Sequence, residues 1–522
     1  MKKIVSLSML AAMAMSAAAQ DTYTNVQMAT EDLNGTARYV GMGGAMEALG
    51  ADISTMGTNP AGIGLIRKNQ VSATGGLQIV GGNTLDNNDA KSATFGLNQI
   101  GLVWVTKTGD LSNVNLGFNY HKSRNFNQLF DVTNSLSNAS QNKASYDKYA
   151  DGVMNVGYAS ESIIDDLYNR NLMYYKDEAG AYHDYYDYYN ATRFRSQHLT
   201  SGYIGDYDFN ISGNINNRIY LGATVTLRDV HYKNSSMYTE ELLDIDDATS
   251  LGIADVTDVT RITGTGYNVK FGAIFRPIET SPFRFGVYMH TPTWYRLTRE
   301  TQTYLDIDFT DDSYISDKNH ESLDFAINTP WKFGASVGHT VGTFLALGAT
   351  YEYSKYNAMD NRVIDGYDYN SYYGTTRALT SKDAAMNANT RESLKGVHTV
   401  KVGAELRPMP ELAIRAGYNF LSAMYNKDGY RDGELESQGV WCSGTTDYTN
   451  WDATHRFTCG LGYNVGSFNI DLAYQYTTTK GTYYPFQPVS YSGTYAEDSN
   501  MPTATSVKDN RHQLSLTVGY KF

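Results

Sequence analysis

The last twelve residues constrain this chain most. Leu514, Leu516, Val518, Tyr520 and Phe522 alternate with Gln513, Ser515, Thr517, Gly519 and Lys521, and the sequence stops on the aromatic. A period of two places one set on each face of a strand. One apolar face and one polar face suit two settings. They fit a half-buried strand of a soluble sandwich, or a strand with lipid on one side and a polar lumen on the other. The remainder of the sequence separates these two settings.

Alternation predicts fourteen strands, near 70–80, 92–107, 112–122, 201–213, 218–230, 260–276, 282–292, 321–338, 343–356, 396–407, 411–422, 453–465, 467–478 and 511–522. One face of each is almost free of charge, as in Leu345/Leu347/Ala349/Tyr351 and Phe468/Ile470/Leu472/Tyr474. The opposite faces carry Asp206, Asp208, Arg228, Lys270, Arg284, Lys332, Glu352, Lys401, Glu405, Arg415 and Asp471. Charges of both signs can pair in a lumen, whereas on the lipid side each costs about 2–4 kcal/mol near the midplane. Short turns, such as 107–110, 213–217 and 464–467, alternate with long connections at 123–200, 231–259, 293–320, 357–395, 423–452 and 479–510. Only a closed sheet satisfies its backbone in lipid. The expected fold is all-β, a 14-stranded antiparallel transmembrane β-barrel with long extracellular loops over 70–522. An even strand count puts both termini on the periplasmic side.

Composition agrees. Residues 1–19 read as a signal peptide, with Lys2 and Lys3, an apolar run from Ile4 to Met15 and an A-x-A site before Gln20. No later stretch reaches about 18 apolar residues, so a helical span is excluded. The mean hydropathy of -0.43 does not exclude a barrel, since only half of each strand faces lipid. The 43 tyrosines suit interface girdles and surface loops. A net charge of -13 argues against nucleic acid as a partner. Cys442 falls in a loop and Cys459 on an apolar strand face, which disfavours a disulfide.

Residues 20–69 do not alternate. They are polar and Gly-rich, with a helix-like piece from about Ala37 to Leu49 and small residues that permit tight packing. Fourteen strands enclose a sizeable interior, so this segment is expected to fold inward as a hatch that plugs the lumen. It contains Asn59-Pro60-Ala61-Gly62, where Pro fixes φ and Asn can bond its own backbone, making a tight hatch turn.

The Asn-Pro-Ala-Gly core, the Gly/Ala-rich stretch before it and the strand starting soon after at Gln70 resemble the FadL-type outer-membrane transporters of long-chain fatty acids and other hydrophobic compounds. The resemblance implies a barrel in the cell outer membrane whose N-terminal hatch blocks the lumen. It implies capture of a hydrophobic small molecule at extracellular loops, and lateral exit to the bilayer through an inward kink of the third strand. Gly117, in strand 112–122, is the candidate for that kink; the competing reading is a glycine that makes room for a bulky lumen neighbour. For capture, a helix capped by Ser160 would gather Ile163, Ile164, Leu167, Tyr168 and Leu172 on one face. The competing reading of those five is loops packing on one another. The terminal aromatics Tyr520 and Phe522 resemble the signal read by the barrel assembly machinery, a further expected partner beside the outer-membrane bilayer.

Passive transport, without a catalytic residue, metal or cofactor, is therefore the expected function. The alternative is a FadL-like barrel that binds or shuttles other surface proteins in a secretion or surface-attachment system, for which long Tyr-rich loops are suited. A general porin would need an open lumen. Gly334-Ala335-Ser336-Val337-Gly338 matches the G-x-S-x-G hydrolase elbow, but that elbow needs a strand-turn-helix context. The acidic run at 244–247 lacks the spacing and glycine of an EF-hand loop.

Overall fold

In a computed structural model, residues 21–81, 93–151, 162–176, 182–184, 188–244, 246–372, 374–435 and 437–522 are described. The expected signal peptide, residues 1–19, lies outside the described residues. Fourteen antiparallel strands close a ring: β1 Gln70–Gly81, β2 Ala93–Lys107, β3 Asn113–Asn125, β4 Ala191–Ile215, β5 Ile219–Leu243, β6 Ser250–Phe275, β7 Arg284–His290, β8 Lys332–Val341, β9 Leu345–Lys355, β10 Gly396–Leu406, β11 Leu412–Leu421, β12 Tyr448–Val465, β13 Phe468–Tyr484 and β14 Thr505–Lys521. Each pairs with its neighbour, and β14 returns to β1 in register from Gln70↔Lys521 to Gly81↔Asn510. The outward face carries Leu347, Leu461, Ile470, Leu472 and Leu516, all exposed. A closed ladder with an apolar exterior is the form in which strands cross a membrane.

The short turns use residues that tolerate positive φ. Asn216 and Asn217 turn β4 into β5 at φ 52 and 55°, and Gly466 turns β12 into β13 at φ 58°. At the other end the long connections are less irregular than their sequence implies. β4, β5 and β6 have 25, 25 and 26 residues, against about 9–11 needed to span a bilayer. The 231–259 connection therefore shrinks to a turn at 244–249. Strands Gln128–Ala139, Trp294–Phe309, Tyr314–Asn328, Asp360–Asn370 and Thr375–Lys382 join the same sheet beyond the ring. The expected strand 321–338 is two elements. Tyr314–Asn328 ends before Pro330, which cannot donate to a ladder, and β8 starts at Lys332.

Residues 21–69 fill the lumen. They form helices α1 (Thr22–Ala29) and α2 (Ala37–Gly41) and two 3-10 turns, Ile53–Gly57 and Pro60–Leu65. The helix expected to run to Leu49 stops at Gly41, because Gly43 and Gly44 take φ 63 and 77°. Both cysteines are free, Cys442 buried and Cys459 exposed.

Candidate functional site

The hatch runs the length of the lumen. Asp21 caps α1 by accepting from the backbone N–H groups of Tyr23 and Thr24 at 3.0 and 3.3 Å. The helix then meets the loop end of the barrel. The Tyr23 hydroxyl donates to Asn450 Oδ1 at 2.7 Å, its ring stacks on Tyr425, and Asn25 donates to Asn361 Oδ1 at 3.0 Å. Strand parity fixes only where β1 starts and β14 ends. Asp21 therefore stands at the loop end, opposite to the side expected for the N-terminal end.

Asn59 caps the Pro60–Leu65 turn through an Ala61 N–H bond of 3.2 Å, and its Nδ2 donates to the Glu47 carbonyl at 2.9 Å. Ala61 and Gly62 are buried with it. The wall is cut back here: a Cβ at Gly272 would overlap Asn59, and one at Gly222 would overlap the Pro60 backbone. The wall also binds the turn. Ser212 Oγ donates to the Pro60 carbonyl at 2.8 Å, and Asn115 Nδ2 to the Ile63 carbonyl at 2.6 Å.

Buried and half-buried ion pairs hold the hatch to the wall, and the lumen charges read from the sequence supply the wall partners Lys401, Glu405, Arg228 and Lys332 but not Arg124. Lys401 meets Glu47 at 2.9 Å, with Thr350 donating to the same carboxylate at 2.7 Å. Arg38 meets Glu405 at 2.9 Å, and Arg415 bridges Glu405 and Asp471 at 2.7 and 2.5 Å. Glu31 lies between Arg228 and Lys332, the latter at 2.5 Å, and Asp32 pairs with Arg124 at 3.0 Å. The hatch partners Glu31, Asp32, Arg38 and Glu47 were not singled out in the sequence. Their signal was charge inside a segment otherwise built to pack.

Beside Glu31 and Asp32 lies a cavity of about 470 Å³. Val26, Leu33, Leu421, Met424, Tyr425 and Trp451 contribute apolar surface, and Arg124, Arg456 and Lys332 contribute cations. It extends to the wall at Thr94, Phe95, Gly96, Asn98, Lys122 and Tyr203. There the seam between β2 and β3 opens. The two strands pair only from Gln99↔His121 to Lys107↔Asn113. Farther out, 93–97 pair with β1 alone, and Lys122, Arg124 and Asn125 with β4 alone. Irregularities in the β1–β2 register near Asn98 and the β3–β4 register between Lys122 and Arg124 mark the divergence.

The remaining predicted residues divide. Gly117 is not a kink: it stays in register with Val103 and Asn210, and a Cβ there would overlap Met56 of the hatch. The opening lies five or more residues away, at Lys122. Ile163, Ile164, Leu167, Tyr168 and Leu172 are buried in one core with Leu136, Phe194, Leu242 and Leu305, so this conformation presents no open capture face there. Their helix, Ile163–Tyr168, is capped by Ser162 in a reciprocal box with Asp165 rather than by Ser160, which lies outside the described residues. Tyr520 packs on Phe468 with ring centroids 4.8 Å apart, and the Phe522 N–H donates to the Asn69 carbonyl at 2.9 Å. Gly334–Gly338 lies within β8, where Ser336 Oγ donates to the Gly286 carbonyl at 3.3 Å; the strand has no elbow there.

No protein-family model matches the sequence, and no curated protein does. Among solved structures, a Pseudomonas aeruginosa FadL homologue is 13% identical over 95% of this chain and 100% of its own, with a TM-score of 0.49. The Ralstonia pickettii toluene transporter TbuX is 13% identical over 94% of this chain and 99% of its own, with a TM-score of 0.45. The P. putida toluene transporter TodX gives the same identity and coverages with a TM-score of 0.44. The fourteen-stranded closure itself rests on this chain's own ladders.

Proposed function

We propose that this barrel is a FadL-type outer-membrane channel that passes hydrophobic small molecules, long-chain fatty acids or similar compounds, from the loop end through the hatched lumen and sideways into the bilayer. The observation that carries the reading is the cavity that runs from the hatch to the open β2–β3 seam. Its volume is in the range of small-molecule sites, roughly 300–1,000 Å³. An apolar side recovers about 0.8 kcal/mol per buried CH₂. The polar side, where Arg124, Arg456 and Lys332 stand among Glu31, Asp32 and Glu352, suits a polar end. A lateral exit releases the tail into lipid without passage through water.

Gly96 tests the exit, because the Lys122 side chain already stands over its Cα. Gly96→Trp fills the seam and is expected to abolish uptake of a fluorescent long-chain fatty acid, with heat-modifiable migration of the barrel unchanged. Undiminished uptake would overturn the lateral route.

One observation supports a second reading. Tyr367, Tyr369 and Tyr372 are 58, 64 and 86% exposed on the hairpin Asp360–Asn370/Thr375–Lys382. An aromatic hairpin beyond the ring suits contact with another surface protein. A partner that co-purifies with the native barrel and is lost on truncation of this hairpin would favour that role.

A further inference from the structure

The outward face carries a repeated arrangement that transport does not use. In β9–β10, β11–β12 and β13–β14 a tyrosine hydroxyl meets a histidine Nδ1: Tyr351–His398, Tyr418–His455 and Tyr474–His512, each at 2.7 Å. Each imidazole also stands directly across from a second aromatic, in the register pairs Tyr353↔His398, Phe420↔His455 and Tyr476↔His512. All three pairs occupy one level. They lie eight residues along the strand from Leu345↔Leu406, Leu412↔Tyr463 and Phe468↔Tyr520 at the short-turn end. At about 3.3 Å per residue and a tilt near 40°, that is about 20 Å up a band roughly 25 Å tall. The belt thus marks the outer edge of the apolar zone. A hydroxyl that donates to Nδ1 leaves the neutral ring's proton on Nε2. Among the described residues no protein group partners those Nε2 atoms.

At β13–β14 a second feature sits above the belt. The outward positions change from Phe468, Ile470, Leu472 and Tyr474 to Tyr476, Thr478 and Lys480, and from Tyr520, Val518, Leu516 and Leu514 to His512, Asn510 and Lys508. Lys480 and Lys508 are directly opposed in the ladder, and both are exposed. Like charges in directly opposed positions are destabilising, and among the described residues no carboxylate pairs with either. The nearest acid in sequence, Asp509, is bound to Arg511 at 2.8 Å. Between lysines and belt, the Tyr476 hydroxyl and Thr478 Oγ1 both donate to Asn510 Oδ1, at 3.0 and 2.9 Å, which fixes the surface. By the same geometry the lysine pair stands about 30 Å above the short-turn end, several ångströms beyond the apolar edge.

We propose that the outward face of β13 and β14 binds the head group of a phosphorylated glycolipid of the outer leaflet. Lys480 and Lys508 take a phosphate, His512 donates from Nε2 to a phosphate or sugar oxygen, and Tyr474 and Tyr476 flank the junction of sugar and acyl chains. The height selects the ligand: a glycerophospholipid carries its phosphate at the apolar edge, whereas phosphate borne on a sugar reaches the lysines. The test is native mass spectrometry of the full barrel in a non-ionic detergent, titrated with a bis-phosphorylated glucosamine lipid, its dephosphorylated form and phosphatidylglycerol. The wild type is expected to bind the phosphorylated glycolipid at least about tenfold more tightly than the other two, because only its phosphate stands at the height of the lysine pair. Lys480→Gln with Lys508→Gln should remove that preference, and His512→Ala should weaken it. Equal binding of the three lipids by the wild type would overturn the proposal without any variant. So would an unchanged preference in a lysine variant whose heat-modifiable migration shows it folded.

Discussion

At the scale of single residues, the hatch is held by charges that pair with the wall inside the lumen. Glu47 is fully buried and answered by Lys401 at 2.9 Å. Removing one member of a buried pair leaves an uncompensated charge, at a cost of about 3–5 kcal/mol. Lys401→Met keeps most of the volume and removes the charge, so it should loosen the hatch and raise conductance in planar bilayers while the barrel stays heat-modifiable. Adding Glu47→Gln should restore much of the closure, since no charge is then stranded; a leak that persists undiminished would show that the pair is not what holds the hatch. The wall half of this site was legible in the sequence. Lys401, Glu405, Arg415 and Asp471 stand on polar faces of alternating strands, and alternation states which way they point. The hatch half was not, because Glu31, Asp32, Arg38 and Glu47 lie in a segment without a period.

At the scale of elements, strands in contact with lipid were legible and their extensions were not. Lipid forces every second residue of β9, β10, β13 and β14 to be apolar. Above the membrane both faces of β4, β5 and β6 pack against loops or meet water, so the alternation fades while the ladder continues. Trp294–Phe309 and the first half of Tyr314–Asn328 were hidden for the same reason. These extensions depend on their own contacts, among them a buried pair far above the apolar band, His198 with Asp447 at 2.8 Å. Burial opposes the charge on His198, but Asp447 overrides it and raises the imidazole above its ordinary 6.5. Burial likewise disfavours the Asp447 carboxylate, yet His198 holds it below its ordinary 3.8. A raised imidazole contributes stability that is complete below 6.5 and lost as pH climbs through the elevated value. The depressed carboxylate contributes above 3.8 and loses its part only as pH falls through the lower value. Limited proteolysis of the loops should therefore be slowest near about pH 5–6 and faster at alkaline pH. Asp447→Asn should flatten the profile, and a wild-type rate that does not change between pH 5.5 and 9 would exclude the pair as a loop clasp.

At the scale of the whole molecule, everything depends on one closing seam. β1 pairs with β14 over its whole length, Gln70 to Gly81 against Lys521 to Asn510, and β14 pairs with β13 on its other side, so this strand turns a sheet with two edges into a barrel with none. The seam ends at the Phe522 N–H bond to the Asn69 carbonyl, where Tyr520 stacks on Phe522 with ring centroids 6.0 Å apart and packs on Phe468. Phe522 is half exposed on the lipid side, and it lines neither the cavity nor the open β2–β3 seam. Its place is therefore at closure and not along the path of a transported molecule. Deleting Phe522 removes one backbone bond and one ring of the short-turn girdle, a loss of about 1–3 kcal/mol that a barrel of this size should survive once closed. The expected result is less heat-modifiable barrel in the membrane, with unchanged fatty-acid uptake per folded molecule. Uptake that falls per folded molecule would instead place the terminal residue in the transport route. A normal amount of folded barrel after the deletion would show that closure does not depend on the final aromatic.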